Sequence, residues 1–222
     1  MTPFTTLTSI AAPLFIDNVD TDTIIPSREM KSTGKTGLAG GLFAPWRYRD
    51  ADARVADPDF VLNQPGFAQA QILLAGRNFG CGSSREHAVW ALAEWGIRCI
   101  VAPSFAPIFK GNCIRNGLLP VELDAAPIAA MAGRVITVDL PGQRIDGHGF
   151  HIDAEAKAML TEGLDAIALT LKHQDAIAAW QLADRTKRPW IYLSSPSRGD
   201  GEAYRRPGQT PPARAANGDE YS

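Results

Sequence analysis

The stretch GRNFGCGSSREHAVWALAEWG, residues 76–96, places two serines, an arginine, a glutamate and a histidine between a glycine turn and a helical pattern. The unpaired N–H groups at a helix start attract anions, and a guanidinium can bind a carboxylate through two hydrogen bonds. Gly80 and Gly82 would keep the backbone open to a ligand. Three chemistries compete for such a turn: a nucleotide-phosphate cradle, a metal or redox site at Cys81, and a pocket for a small carboxylate on which a serine acts.

The sequence comes close to two nucleotide-binding motifs but departs from each at one required position. A dinucleotide-binding turn needs Gly-x-Gly-x-x-Gly, but Arg85 occupies the third glycine position, where a large side chain blocks the close approach of helix and strand. The GKT at 34–36 suggests a phosphate loop, which needs a glycine five residues before Gly34, and the chain has Glu29 there. The sequence therefore predicts no nucleotide site.

The metal hypothesis is weak for this chain alone. Its three cysteines, at positions 81, 99 and 113, lack the two-residue spacing typical of structural zinc sites and iron–sulfur clusters. His148 and His151 lie three apart in a predicted strand, so they would point to opposite faces. We expect no metal bound by this chain and no disulfide framework.

Composition narrows the class of protein. The net charge of −2 over 222 residues argues against nucleic acid or an anionic membrane as partner, because both attract a basic excess. No apolar run reaches the length that crosses a bilayer, and no cationic, apolar leader is visible. We expect a soluble cytoplasmic protein with reduced thiols.

The glycine turn needs a strand and a helix to position it. QILLAG at 71–76 predicts a buried strand, and apolar residues on one face predict a helix from about Ser84 to Trp95 that ends at Gly96. RCIVA at 98–102 predicts a second buried strand. A strand–helix–strand unit of this kind predicts a parallel pair.

The rest of the chain is less regular. The patterns predict a short helix closing at Gly117, a strand in LLPVEL, a hairpin turning at Pro141-Gly142, a helix capped by Asp153, and a helix from Leu164 to about Ala183. In that last helix four residues are expected to be buried: Ile167, Leu171, Ile177 and Trp180. Residues 17–50 are predicted to be long loops around short strands.

The C-terminal end differs in composition. Residues 194–222 contain four prolines and four glycines, and no Val, Ile, Leu, Met, Phe or Trp. Such a segment cannot bury enough apolar surface to order itself. We predict one domain at 1–193 and a flexible tail at 194–222.

Several residues have both a structural and a functional interpretation. Ser83-x-x-Glu86 matches a capping box, so the serines could serve only the helix. Arg85 could pair with an acid such as Asp22, and Arg28 could be a surface residue. Residues 31–37, KSTGKTG, could form a lid over a ligand or a loop that a partner orders.

Four segments together resemble a known family. FGCGSSREHAVWAL and FAPIFKGNCIRNGLLPV, with DNVDTDTIIPS and GLFAPWRYRD upstream, resemble the small subunits of 3-isopropylmalate dehydratases, the detached swivelling domain of the aconitase superfamily. The resemblance runs from about residue 4 to residue 193. It implies an α/β fold of three layers, β/β/α, with a mixed sheet and flanking helices.

The resemblance implies a reaction and a partner. Members interconvert 2-isopropylmalate and 3-isopropylmalate by dehydration and rehydration in leucine biosynthesis. A separate large subunit holds a [4Fe-4S] cluster, whose open iron polarises the departing hydroxyl, so this chain would bind no cofactor itself. Alternatives are a related hydro-lyase acting on citraconate, dimethylmalate or homoaconitate, and a non-catalytic module that binds small carboxylates.

Motif positions carry roles over to individual residues. Ser83 would be the general base, and Ser84 and Arg85 would bind a substrate carboxylate. Asp22 matches an acidic position in the family loop, and Arg28 is expected to make a further anion contact. The sequence leaves open which of the two serines caps the helix and which acts on the substrate.

Overall fold

The computed structural model describes residues 1–30 and 34–192. The chain divides into two compact units, Met1–His173 and a second unit that begins at Gln174. The predicted tail at 194–222 lies outside the described residues, as do residues 31–33 of the predicted lid, and the predicted domain limits stay a prediction. Within the described ranges, no helix combines the length and the apolarity that a membrane span requires.

A seven-stranded mixed sheet organises the first unit, in the order β6-β5-β4-β1-β7-β8-β9. Strands β1, β4, β5 and β6 run parallel, whereas β7, β8 and β9 continue antiparallel from β1. Strands β2 and β3 form a separate antiparallel pair. The strands are β1 Thr6–Leu14, β2 Tyr48–Asp50, β3 Val55–Ala56, β4 Ile72–Ala75, β5 Cys99–Ala102, β6 Leu119–Glu122, β7 Val135–Asp139, β8 Arg144–Ile145 and β9 His148–Gly149.

Helices connect these strands and flank the sheet. They are α1 Thr21–Ile24, α2 Ala44–Arg47, α3 Glu86–Trp95, α4 Pro107–Arg115, α5 Ala125–Ala130, α6 Ala154–Glu162, α7 Ala166–Leu171 and α8 Gln174–Lys187. The predicted α/β class, with a mixed sheet and flanking helices, is confirmed, as is the parallel β4–α3–β5 unit.

Both faces of the parallel strands are buried, which explains their continuous apolar runs. On one face, Leu73 of β4 and Ile100 of β5 pack in one core cluster with Leu92 of α3. On the other face, Ile72 and Val101 belong to a second cluster, together with side chains of α5 and α6. The sheet thus forms a rigid base from whose strand ends the loops of the site emerge.

Two predictions of local structure were wrong. Residues 17–50 contain α1, α2 and two 3₁₀ helices in addition to β2, rather than long loops around short strands. The single helix predicted from Leu164 is two helices, since α7 ends with Lys172 as its C-cap and α8 begins at Gln174.

The four apolar residues expected to be buried in that region are exposed. Their exposed fractions are 72% for Ile167, 56% for Leu171, 38% for Ile177 and 60% for Trp180. An amphipathic spacing shows which residues share a face, but it does not show that anything covers the face. The helical periodicity was therefore correct, but the burial inferred from it was wrong.

The glycine turn depends on an unusually close contact with α4. Gly80 has φ +78°, and a Cβ built on it would lie 2.1 Å from Cγ of Phe109. Phe109 is buried and packs edge-on against Phe79, with ring centroids 5.5 Å apart. Only glycine allows the turn and the aromatic cluster to approach in this way.

We expect Gly80→Ala to destabilise the fold much more than Gly147→Ala. Gly147 has a similar φ of +86° with no atom within 4 Å of a built Cβ, so its substitution costs only backbone strain, about 1–2 kcal/mol. Gly80→Ala adds overpacking against Phe109, roughly 1–3 kcal/mol more. Denaturant unfolding of both variants measures the difference. Equal losses of unfolding free energy in the two variants would show that the contact with Phe109 relaxes at no cost.

Candidate functional site

The Asp-Thr-Asp segment at 20–22 lies directly beside the glycine turn, although about 60 residues separate them in sequence. The N–H of Gly80 donates to the carbonyl of Val19 at 2.8 Å, and the N–H of Thr21 donates to the carbonyl of Cys81 at 2.9 Å. These bonds pair the two segments as a short parallel bridge. The chain thus brings together the two motifs that the resemblance had associated.

Each residue of the Asp-Thr-Asp segment has its own contact. The Asp20 carboxylate accepts the N–H of Thr23 at 2.6 Å and caps α1. The Thr21 side chain is buried, and its hydroxyl donates to the carbonyl of Ser83 at 2.9 Å. Asp22 forms an ion pair with Arg85. The segment therefore holds the backbone of the serine turn and the guanidinium beside it.

A cavity of about 200 Å³ opens at this junction. Its polar lining includes Thr21, Ser83, Ser84 and Arg85, and the beginning of α4 also contributes to it. The full lining is Thr21, Gly80, Gly82, Ser83, Ser84, Arg85, Ala106, Pro107, Ile108, Phe109 and Asn112. Three of the predicted site residues thus share one small cavity.

Neither serine caps α3, so the capping-box interpretation was wrong. The helix begins at Glu86, two residues later than predicted, and its N-cap is Arg85, without a side-chain capping bond. The Glu86 side chain turns away from Ser83 to accept an N–H of Asn116 at 2.7 Å. Ser83 and Ser84 are exposed at the cavity, and neither hydroxyl is used by the helix.

Arg85 is held in place and still faces the cavity. Its side chain is 21% exposed, and its ion pair uses Nη1. A guanidinium carries five N–H donors in a planar fork, so one carboxylate contact leaves others for a ligand. The ion pair with Asp22 orients the fork and does not exhaust it.

The structure brings two predicted residues close to the site but not into the cavity lining. Asp22 contacts Arg85 from outside the lining. Arg28 lies in a 3₁₀ helix, Ser27–Glu29, with its side chain 59% exposed and 3.8 Å from the Glu29 carboxylate. Direct substrate binding by these two residues stays a prediction that the cavity does not support.

The start of α4 is a feature that the sequence analysis missed. Its N-cap, Ala106, makes no side-chain capping bond, and Pro107 occupies the first turn. Proline has no N–H, and the N–H groups of Ile108 and Phe109 have no partner within the helix. Two helix starts, of α3 and α4, thus direct positive dipole ends at one cavity. Pro107, a residue type that is common at the first position of a helix, was the available signal.

The cysteines do not form a thiolate set. Burial raises the pKa of Cys99 and of Cys113 well above the ordinary range, and the nearby Cys99 raises that of Cys113 further. Cys81 is half-buried, with its thiol 3.4 Å from the carbonyl of Asn18. Across residues 1–30 and 34–192, no group of three His, Cys, Asp or Glu side chains could hold a metal ion.

The described part of the predicted lid is attached to α3. The Glu94 carboxylate accepts the N–H groups of Gly37, Leu38 and Ala39 at 2.5–2.8 Å. Lys35 donates to the side-chain carbonyl of Asn116 at 3.1 Å. The loop that follows residues 31–33 is therefore anchored through its own backbone rather than free to swing.

The chain is similar to known proteins over most of its length. Residues 1–126 match the family described as the aconitase C-terminal domain. The chain is 56% identical over 206 residues to the 3-isopropylmalate dehydratase small subunit of Cupriavidus necator, which covers 87% of this chain and 99% of that protein. The corresponding protein of Paramagnetospirillum magneticum is 47% identical over 203 residues, 86% of this chain and 100% of the relative.

A solved structure is also similar. The 3-isopropylmalate dehydratase structure from Methanocaldococcus jannaschii matches with a TM-score of 0.58 and 27% identity, covering 79% of this chain and 99% of that one. The predicted aconitase-type fold is thereby confirmed. The relatives are matched over nearly their whole length, so the similarity is not confined to a motif.

We expect Thr21→Val to loosen the serine turn. The variant keeps the shape of the side chain but removes the hydrogen bond to the Ser83 carbonyl, which costs about 0.5–1.5 kcal/mol. Amide hydrogen exchange at residues 82–85 should speed up. Thr23→Val is the matched control, because within the described ranges the Thr23 hydroxyl has no hydrogen-bond partner. Unchanged amide exchange in Thr21→Val would show that the turn is stable without the Thr21 hydrogen bond.

The attachment of the loop to Glu94 should depend on pH. Burial alone would raise the pKa of Glu94, but the N–H groups of Gly37, Ala39 and Leu38 outweigh it and lower the pKa. A lowered carboxyl pKa gives stability above the ordinary value of 4.5, and this is lost as the pH falls below it. Wild type should therefore exceed Glu94→Gln in free energy of unfolding at pH 7. A difference that does not shrink as the pH falls below 4.5 would contradict this.

Proposed function

Since this chain belongs to the aconitase C-terminal domain family and, within it, to the small subunits of 3-isopropylmalate dehydratases, we propose that the cavity at the serine turn binds the substrate and transfers its proton. The family interconverts 2-isopropylmalate and 3-isopropylmalate by dehydration and rehydration in leucine biosynthesis. The chain acts in that reaction as a hydro-lyase subunit. The observation that carries the proposed site is the presence of Ser83 and Arg85 in one cavity lined by two helix starts.

We propose that Ser83 is the general base. The hydrogen to be removed lies on the carbon next to a carboxylate and is weakly acidic, so the base must be strong. A serine hydroxyl becomes strong enough only when its anion is stabilised, and nearby N–H donors and positive charge do this. The uncapped start of α3 and the guanidinium of Arg85 supply both beside Ser83.

Arg85 is proposed to hold the carboxylate next to the reacting carbon. When the proton leaves that carbon, negative charge moves onto the carboxylate oxygens. A guanidinium already in contact stabilises that charge more in the transition state than in the ground state, which lowers the barrier. Ser83 keeps the proton while the hydroxyl departs, and returns it to carbon when water adds again. Ser84 is proposed as a further hydrogen-bond donor to the same carboxylate.

The partner is proposed to be an iron–sulfur large subunit. A small subunit implies a large one, and the resemblance places the [4Fe-4S] cluster there. The thiols described here do not fit such a cluster, because Cys99 and Cys113 lie in two different core clusters and a cluster needs several thiolates within reach. We propose that the complex works in the cytoplasm, where its thiols stay reduced.

The base assignment predicts different kinetics for two neighbouring serines. In the complex reconstituted with a large subunit, Ser83→Ala should lower kcat for 2-isopropylmalate by about 10²–10⁴, the usual contribution of a general base. Ser84→Ala, the matched control, should mainly raise KM, because it removes a binding contact. Both variants should fold and assemble as wild type does. A normal kcat in Ser83→Ala would remove the assignment.

The same assay tests the substrate. The isolated chain should show no turnover, and the complex should convert 2-isopropylmalate faster than citraconate, 2,3-dimethylmalate or homoaconitate. Preference for one of the other acids would replace the substrate but keep the reaction class. Binding of small dicarboxylates without turnover by any complex would make the chain a binding module.

A further inference from the structure

Asn112 is a buried polar residue that no role above explains. It lies in the second turn of α4, with 5% of its surface exposed, and it lines the cavity shared by Ser83 and Arg85. Burying a carboxamide is costly unless its hydrogen-bonding groups are satisfied. The partners of its two side-chain atoms therefore matter.

Within the described residues, only the oxygen of this carboxamide has a partner. Nη2 of Arg115 donates to Oδ1 of Asn112, one turn along the helix. That bond fixes which end of the amide is the oxygen and directs the nitrogen the other way. In residues 1–30 and 34–192, no group accepts a hydrogen bond from Nδ2 of Asn112.

The free nitrogen reaches open space. In the described part of the chain, the side-chain atoms that are both fully enclosed and unpaired are Trp95 Nε1, Arg98 Nε and Thr161 Oγ1. Nδ2 of Asn112 is not one of them, so it is not fully enclosed. The space that Asn112 lines is the cavity, so its two N–H donors are available to a ligand bound there.

We propose that Asn112 is a substrate-binding residue whose carboxamide N–H donates to an oxygen of a substrate carboxylate. This inference rests on the proposed function and deepens it. The substrate carries two carboxylates, whereas Arg85 is the one cationic side chain that the described residues contribute to the cavity lining. Among these residues, neutral N–H donors are what a further carboxylate oxygen in the cavity can meet, and Asn112 stands beside the uncapped first turn of α4.

A helix start alone would be weak support for an anion site, because most helix starts bind nothing. A buried donor without a partner is different, because leaving it unsatisfied costs free energy that ligand binding recovers. Arg115 adds to this, since its bond to Oδ1 holds the amide in the binding orientation before the ligand arrives. Asn112 is thus preorganised for an acceptor in the cavity.

Asn112→Asp in the reconstituted complex tests the proposal. The variant has the same shape and keeps an oxygen for Arg115, but it replaces the free N–H donor by a carboxylate oxygen. We expect KM for 2-isopropylmalate to rise about tenfold or more, as for loss of a hydrogen bond to a charged group. The kcat should change by less than about threefold, because binding is lost equally in the ground and transition states.

Gln71→Glu is the matched control. It makes the same amide-to-carboxylate change on an exposed residue outside the cavity lining, so it adds equal charge without touching the site. Its KM should equal that of wild type. A similar KM increase in Gln71→Glu would assign the effect to net charge and overturn the proposal.

The remaining outcomes are distinguishable. If wild type turns over 2-isopropylmalate and folded Asn112→Asp has an unchanged KM, the role of Asn112 is refuted while the proposed function stands. If wild type with its large subunit turns over none of the acids, the proposed function fails, and the Asn112 proposal, which rests on it, falls too. Should Asn112→Asp not fold, the nearly isosteric Asn112→Leu decides by the same comparison of KM.

Discussion

The hydrogen bonds that join residues 19–22 to residues 80–83 are the constraint on which the site depends. They fix the backbone of the glycine turn from outside the turn itself, through Gly80, Thr21 and the carbonyl of Ser83. The Asp22–Arg85 ion pair extends the same attachment to a side chain. Catalytic groups gain most when they are held in position before the substrate arrives, and here a separate segment holds them.

A second constraint brings α4 against the turn. Because position 80 has no Cβ, the ring of Phe109 can occupy the space beside the backbone. That contact brings the start of α4, and with it Asn112, to the cavity that the serines line. The cavity therefore combines a guanidinium, two uncapped helix starts and a buried amide. All of these favour bound negative charge, which suits a small dicarboxylate.

The fold was predictable where local pattern and burial coincide. The runs at β4 and β5 are apolar on both faces, and the fold buries both faces. The periodicity of α3 and its end at Gly96 were also correct. Prediction failed where a pattern needed an unspecified neighbour: Ile167 and Trp180 have helical spacing, yet nothing in the pattern states whether a surface covers them. Residues 17–50 failed because very short helices carry too little periodicity to detect.

For the site, the amino-acid sequence by itself determined the residue types: a glycine turn, two serines and an arginine before a helix, and an Asp-Thr-Asp segment far upstream. Short-range preference and family resemblance are enough for that. Only the tertiary structure decided that the Thr21 hydroxyl donates to the Ser83 carbonyl, that neither serine caps α3, and that Asn112 lines the same cavity. These facts depend on contacts between residues about 30 to 90 positions apart. The packing of the whole sheet and its helices sets such contacts, and no local pattern contains them.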